Sequence, residues 1–190
     1  MLSKLKSSVA QCFAAMAVLA LGLAAAATPW RTDLKTSNLS FVGTQAGATF
    51  EGVFERYTAN IAFDPKNLAT SKFDVTIDVK SVNSKDKERD DIIRGVDLFA
   101  VERWPTAHYV ADKFTANGDG KFTGHGKLTI RDITRDVAID FTHQVDASGA
   151  WLKGSAKLKR LDFGVGQGEW KDTQWVSNDV RVEFALRLSR

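Results

Sequence analysis

The sequence predicts an all-β fold, about eight antiparallel strands with one short helix, arranged as a closed barrel or a sandwich. Three observations predict it. Apolar and polar residues alternate with a period of two in segment after segment, turn signals separate these segments at short intervals, and only residues 84–95 interrupt the succession. A parallel sheet would need a helix between most strands, and this chain has material for one.

The chain opens with an export leader by its composition. Lys4 and Lys6 make a basic start, residues 9–26 form an alanine-heavy apolar run, and Ala25-Ala26-Ala27 is a small-residue cleavage pattern before Thr28. The expected division is a signal peptide over 1–27 and one barrel domain over 28–190, located in the periplasm. An uncleaved anchor fits less well, because a spanning helix needs about 20 strongly apolar residues. The one cysteine, Cys12, lies in the leader. The exported part must therefore be held by its core, which a domain of about 150 residues supplies by burying roughly 68–70% of its unfolded surface. The net charge of the whole chain is +3, and since Lys4 and Lys6 are part of it, residues 28–190 are close to neutral. Acids and bases are interleaved with no Lys/Arg run, which sets nucleic acid aside as a partner.

Taken in order, the strand candidates are residues 39–43, 50–63, 73–79, 108–115, 121–130, 137–142, 151–158 and 180–188. Phe73, Val75, Ile77 and Val79 alternate with Asp74, Thr76 and Asp78, and Val137, Ile139 and Phe141 alternate with mostly polar neighbours later. The last strand is the clearest, with Val180, Val182, Phe184, Leu186 and Leu188 on one pleat face and Arg181, Glu183 and Arg187 on the other. Asp64-Pro65, Asn117-Gly118-Asp119-Gly120 and Ser148-Gly149 supply turns. Within 84–95, Asp86, Glu88, Asp90 and Asp91 crowd a helix start, Ile92 and Ile93 give it an apolar patch, and Gly95 stops it. Eleven Phe and five Trp over residues 28–190 imply a wide apolar interior, either solidly packed or hollow enough for one small ligand.

No catalytic or metal-binding constellation emerges. His108, His125 and His143 fall in separate strands without metal-ligand spacing, and His143 lies on the apolar face of its strand. There is no GxSxG elbow and no cysteine beyond the leader. The acids at the helix start suit the helix dipole better than paired carboxylate catalysis. Gly164-Val165-Gly166-Gln167-Gly168 opens no apolar helix, so it is no dinucleotide loop. It predicts a turned loop at a barrel mouth, over which Trp170 and Trp175 fold, with Gln167 and Trp170 as candidate ligand contacts.

Several short motifs, in order, bring a family into view: Ser37-Asn38-Leu39-Ser40-Phe41, Gly52-Val53-Phe54, Asp74-Val75-Thr76-Ile77-Asp78 with Ser81-Val82, Arg89-Asp90, Phe99 with Pro105, Gly126-Lys127-Leu128-Thr129-Ile130 with Thr134-Arg135, and Asp162-Phe163-Gly164-Val165-Gly166. In these the chain resembles the YceI-like family. The resemblance spans nearly all of 28–190 and implies an extended, lipocalin-like, eight-stranded barrel in the bacterial periplasm. Its apolar pore would bind an isoprenoid lipid, such as an isoprenoid quinone or a polyprenyl phosphate. It implies a binder, not an enzyme, with no catalytic cofactor. Many relatives carry a Lys-His pair shortly after the Phe41 position, where this chain has Gly43-Thr44-Gln45-Ala46-Gly47. The variant looks like the branch associated with cytochrome b561-type membrane proteins, which implies such a protein as a partner and a link to quinone.

On this reading Phe41, Phe54, Phe73, Val75, Ile77, Phe99, Phe141 and Phe184 line the cavity, and Gln167 and Trp170 stand at one mouth. The competing reading is a solid-cored interaction module that docks on a membrane cytochrome or envelope complex. An elongated barrel also has edges that could pair into a homodimer.

Overall fold

The computed structural model of the protein describes residues 27–190, so the leader expected over 1–27, Cys12 included, lies outside the described residues except for Ala27. The strands are β1 (Pro29–Gln45), β2 (Ala48–Phe54), β3 (Tyr57–Ala62), β4 (Lys72–Asp78), β5 (Val82–Asn83), β6 (Thr106–Gly118), β7 (Lys121–Ile130), β8 (Ile133–Asp146), β9 (Gly149–Lys159) and β10 (Asp179–Ser189), with one α-helix, α1 (Lys87–Arg94). Neighbours run β10-β9-β8-β7-β6-β4-β3-β1, and β1 pairs with β10, so eight antiparallel strands close a barrel. Closure removes the free edges that an open sheet of this length would present. The short β2 and β5 extend from β1 at one end.

Three departures from simple alternation shape this barrel. Residues 50–63, which read as one strand, split into β2 and β3 because the Glu55 and Arg56 amides turn to Ser81, bonding its carbonyl and its hydroxyl. The first strand is much longer than residues 39–43. Its earlier half carries no alternation because the register against β10 shifts between Asp33 and Asn38. There the Asp33 carboxylate accepts from the Lys35 amide and the Thr36 hydroxyl, and the Ser37 hydroxyl donates to the Asp33 carbonyl. In β6 a register shift between Ala111 and Lys113 returns Phe114 to the inside after Tyr109 and Ala111.

Helix α1 sits where the acidic stretch placed it. The Asp86 carboxylate caps it, accepting the Arg89 amide at 3.1 Å, and Ile93 points into the core. The helix ends at Gly95, but through extended backbone (φ −62°) and not a left-handed turn.

The end of the barrel that carries the β6–β7 and β8–β9 turns is plugged with rings. Phe63 stands at the centre, 5.0 to 5.9 Å from the rings of Phe73, Phe114, Phe122, Phe141 and His143. Trp30 covers them, donating its indole N–H to the Phe63 carbonyl and packing on His143. Each edge-to-face pair adds about 0.5–1.5 kcal/mol to the area buried.

His143 is the one titratable group in this plug. Burial, aided by the positive charge of Arg190, holds its pKa below the ordinary value of 6.5. The unfolded chain therefore takes up a proton near pH 6.5 that the folded one refuses, and stability falls as pH drops below that point until the folded imidazole titrates. Urea unfolding at pH 7.5 and pH 5 checks this: the midpoint drops for the native protein, and His143→Phe removes a large part of the drop. An equal drop in both proteins contradicts the assignment.

Candidate functional site: a cavity in the barrel

Above the ring plug the barrel is hollow. A cavity of about 220 Å³ runs from a floor at Phe73 towards the opposite end, with a lining that is almost wholly apolar. One water needs only ~10–15 Å³ of such space, but an apolar void of this kind offers water no partners. The wall comes from alternate residues of the barrel strands: Leu39 and Phe41 on β1, Phe50 and Phe54 on β2, Tyr57, Ala59 and Ile61 on β3, Val75 and Ile77 on β4, and Val180, Val182, Phe184 and Leu186 on β10. Ile93 of α1, with Leu98 and Phe99 just beyond it, closes one side of the mouth.

Inward-facing glycines keep the lumen open. Phe41 is registered opposite Gly52 and Phe50 opposite Gly43, while Gly154 has Phe141 on one flank and Phe184 on the other. Each glycine is covered by a ring. A Cβ on Gly52 would collide with the Phe41 ring, one on Gly43 would come within 2.8 Å of the Phe50 ring, and one on Gly154 within 2.6 Å of the Phe184 ring. With no side chain beneath them, these rings lie against the wall instead of projecting across the barrel.

The mouth is held by a buried cation. Arg160 is 7% exposed, and its guanidinium donates to three main-chain carbonyls of the closing loop: Nε to Ser177, Nη1 to Val165 and Nη2 to Val176. Burial disfavours its charge and lowers its pKa. The loop is tied on two further sides. The Gly166 and Gln167 amides bond the Asp97 carbonyl beyond α1, and the Ala46 amide and Thr44 carbonyl of the β1–β2 turn bond Trp175 and Ser177. Tyr109 reaches the Val137 carbonyl at 3.2 Å, and burial raises its phenol pKa.

Of the residues chosen from the sequence, Phe41, Phe54, Phe73, Val75, Ile77, Phe99 and Phe184 lie on the cavity wall. Phe141 lies below it, stacked on Phe122 in the plug, because its level on β8 is that of the ring cluster. Gln167 also lies off the wall; its side-chain amide donates to the Gly164 carbonyl and shapes the loop. Trp170 packs on the core from the loop and lines a second, more polar hollow beside the mouth, while Trp175 is 55% exposed on the rim. Arg160, Tyr57 and Tyr109 were not singled out. All three continue the inward period of their strands: Arg160 follows Ala150, Leu152, Gly154, Ala156 and Leu158 at the same spacing, so the pattern carried one step further would have found it.

The histidines stay apart, with His108 on Asp74 at 2.9 Å, His125 on Thr115 at 3.2 Å and His143 in the plug. Among the described residues no group of three or more His, Cys, Asp or Glu is placed to hold a metal ion.

Comparison with known proteins agrees with this architecture. The family model described as YceI-like domain matches residues 30–188. A UPF0312 protein of Vibrio parahaemolyticus is 29% identical over 156 residues, covering 77% of this chain and 82% of the relative. The crystal structure of Burkholderia cenocepacia BcnA superposes with a TM-score of 0.80 at 34% identity, covering 82% of this chain and 98% of that one. A polyisoprenoid binding domain from Saccharophagus degradans, implicated in plant cell wall breakdown, shares the fold with a TM-score of 0.67 at 15% identity, covering 85% of this chain and 97% of that one.

Two wall glycines separate the tight contacts from the yielding ones. At Gly154 a Cβ would collide with the Asp140 carbonyl, which is main chain, whereas at Gly52 it meets only the outer edge of the Phe41 ring. Gly154→Ala should cost about 1–3 kcal/mol and lower Tm by roughly 2–12 °C, and Gly52→Ala should cost less while turning Phe41 into the lumen. Thermal unfolding of both variants checks the order; a Gly154→Ala protein that melts with the native one contradicts it.

Proposed function

The chain belongs to the YceI-like family, and on that premise we propose that it binds an isoprenoid lipid by its tail within the barrel. The observation that carries this reading is a cavity closed by rings at one end, apolar along its length and open beside Arg160 at the other. A prenyl tail gains about 25 cal/mol for each Å² of apolar surface removed from water, and a lumen with few polar atoms asks for nothing in exchange. The Saccharophagus degradans protein, described as polyisoprenoid-binding, holds the same fold.

The protein acts on this reading as a binder. Of the polar groups near the lumen, Arg160 and Tyr109 spend their hydrogen bonds on main-chain carbonyls, the Tyr57 hydroxyl is buried without a partner, and no nucleophile and base converge there. If residues 1–27 are removed as an export leader, the carrier works in the periplasm, where a lipid tail needs shelter between membranes. A solid-cored docking module is disfavoured by the hollow interior.

Protein purified from its own host and extracted with organic solvent should release close to one prenyl lipid per chain, detected by mass spectrometry. Ala156→Phe, which places a ring in the lumen from β9, should remain folded and release much less. A native extract free of prenyl lipid would contradict the proposal.

A further inference from the structure

The more polar hollow beside the mouth, about 280 Å³, is lined by Gln45, Asp86, Glu88, Arg89 and Trp170, and it shares Phe50, Ile93, Leu98 and Val176 with the apolar cavity. The hollow thus adjoins the lumen, and a lipid whose tail filled the lumen would meet it with its head group.

The chemistry of the hollow is unfavourable to phosphate. The natural anion site is the start of α1, where free amides and the helix dipole attract negative charge. Here the protein's own carboxylate occupies it: Asp86 accepts the Arg89 amide at 3.1 Å, and Glu88 and Asp90 follow in the first turn. Nor is a cation free. The Arg89 guanidinium is paired with Asp86 at 3.2 Å and lies over the Phe50 ring at 4.5 Å, while Arg160 is committed to three carbonyls. Asp86 and Glu88 outnumber Arg89, so a phosphate entering the hollow meets excess negative charge. What remains for a ligand is neutral hydrogen bonding from the Gln45 side-chain amide, and the aromatic surface of Phe50 and Trp170.

The geometry points to a head-group filter: the hollow admits an uncharged polar head, such as a quinone ring or an alcohol, and Asp86 and Glu88 discriminate against prenyl phosphates. This inference rests on the isoprenoid reading above and narrows it.

The test compares geranylgeraniol with geranylgeranyl monophosphate, equal tails with and without charge, competing for the delipidated protein against a fluorescent prenyl probe. The alcohol should bind at least about tenfold more tightly at low salt, the size of effect that like charges a few ångströms apart produce near a protein surface. The double variant Asp86→Asn/Glu88→Gln keeps a helix cap and should abolish most of that tenfold ratio between the two ligands. Equal affinities in the native protein, or a preference that survives in the variant, overturns the filter. Binding of neither ligand nor probe overturns the isoprenoid reading itself, which the solvent extract tests separately.

Discussion

The lumen depends on glycine set under aromatic rings. A barrel of eight strands encloses barely enough space for its own inward side chains, and one lined with Phe would ordinarily fill. Here Gly43, Gly52 and Gly154 face inward beneath Phe50, Phe41 and Phe184, so these rings lie along the wall. The barrel gains a large apolar lining without losing the hollow. Phe41 meets both Phe50 and Phe54 along that wall, and Phe54 meets Phe99 at the mouth.

At the other end the same residue type does the opposite work. Phe63, Phe73, Phe114, Phe122 and Phe141 pack across the axis, mostly edge to face with Phe122 stacked on Phe141, and make a dry floor, with Trp30 and His143 beneath. Phe73 belongs to both groups, touching Phe63 and Phe114 below and the cavity above. This division gives the protein one closed and one open end. The open end is where Arg160 holds the loop and where α1 brings charge to the mouth.

Much of this was legible in the amino-acid order. The two-residue period of Val180 to Leu188 identified both the strand and its inward face, and the acids ahead of Ile92-Ile93 located the helix. What escaped were features that depend on neighbours across the sheet. Residues 29–38 lacked a pattern because the Asp33 turn spends their polar groups locally. Phe141 and Phe184 both face Gly154, but one fills and the other lines, and only their height along the axis distinguishes them. The inward period of β9 reaches Arg160, but the task of a cation there is set by the carbonyls of residues 165, 176 and 177, which only the fold brings together.

The interior is hollow above the ring plug and solid within it. Xenon pressurisation of crystals of delipidated protein tests this directly, because xenon enters dry apolar voids and leaves packed cores empty. The account predicts xenon among Phe41, Phe54, Ile77 and Val182, and none among Phe63, Phe122 and Phe141. Rings turned across the axis, with no xenon above Phe73, would contradict it.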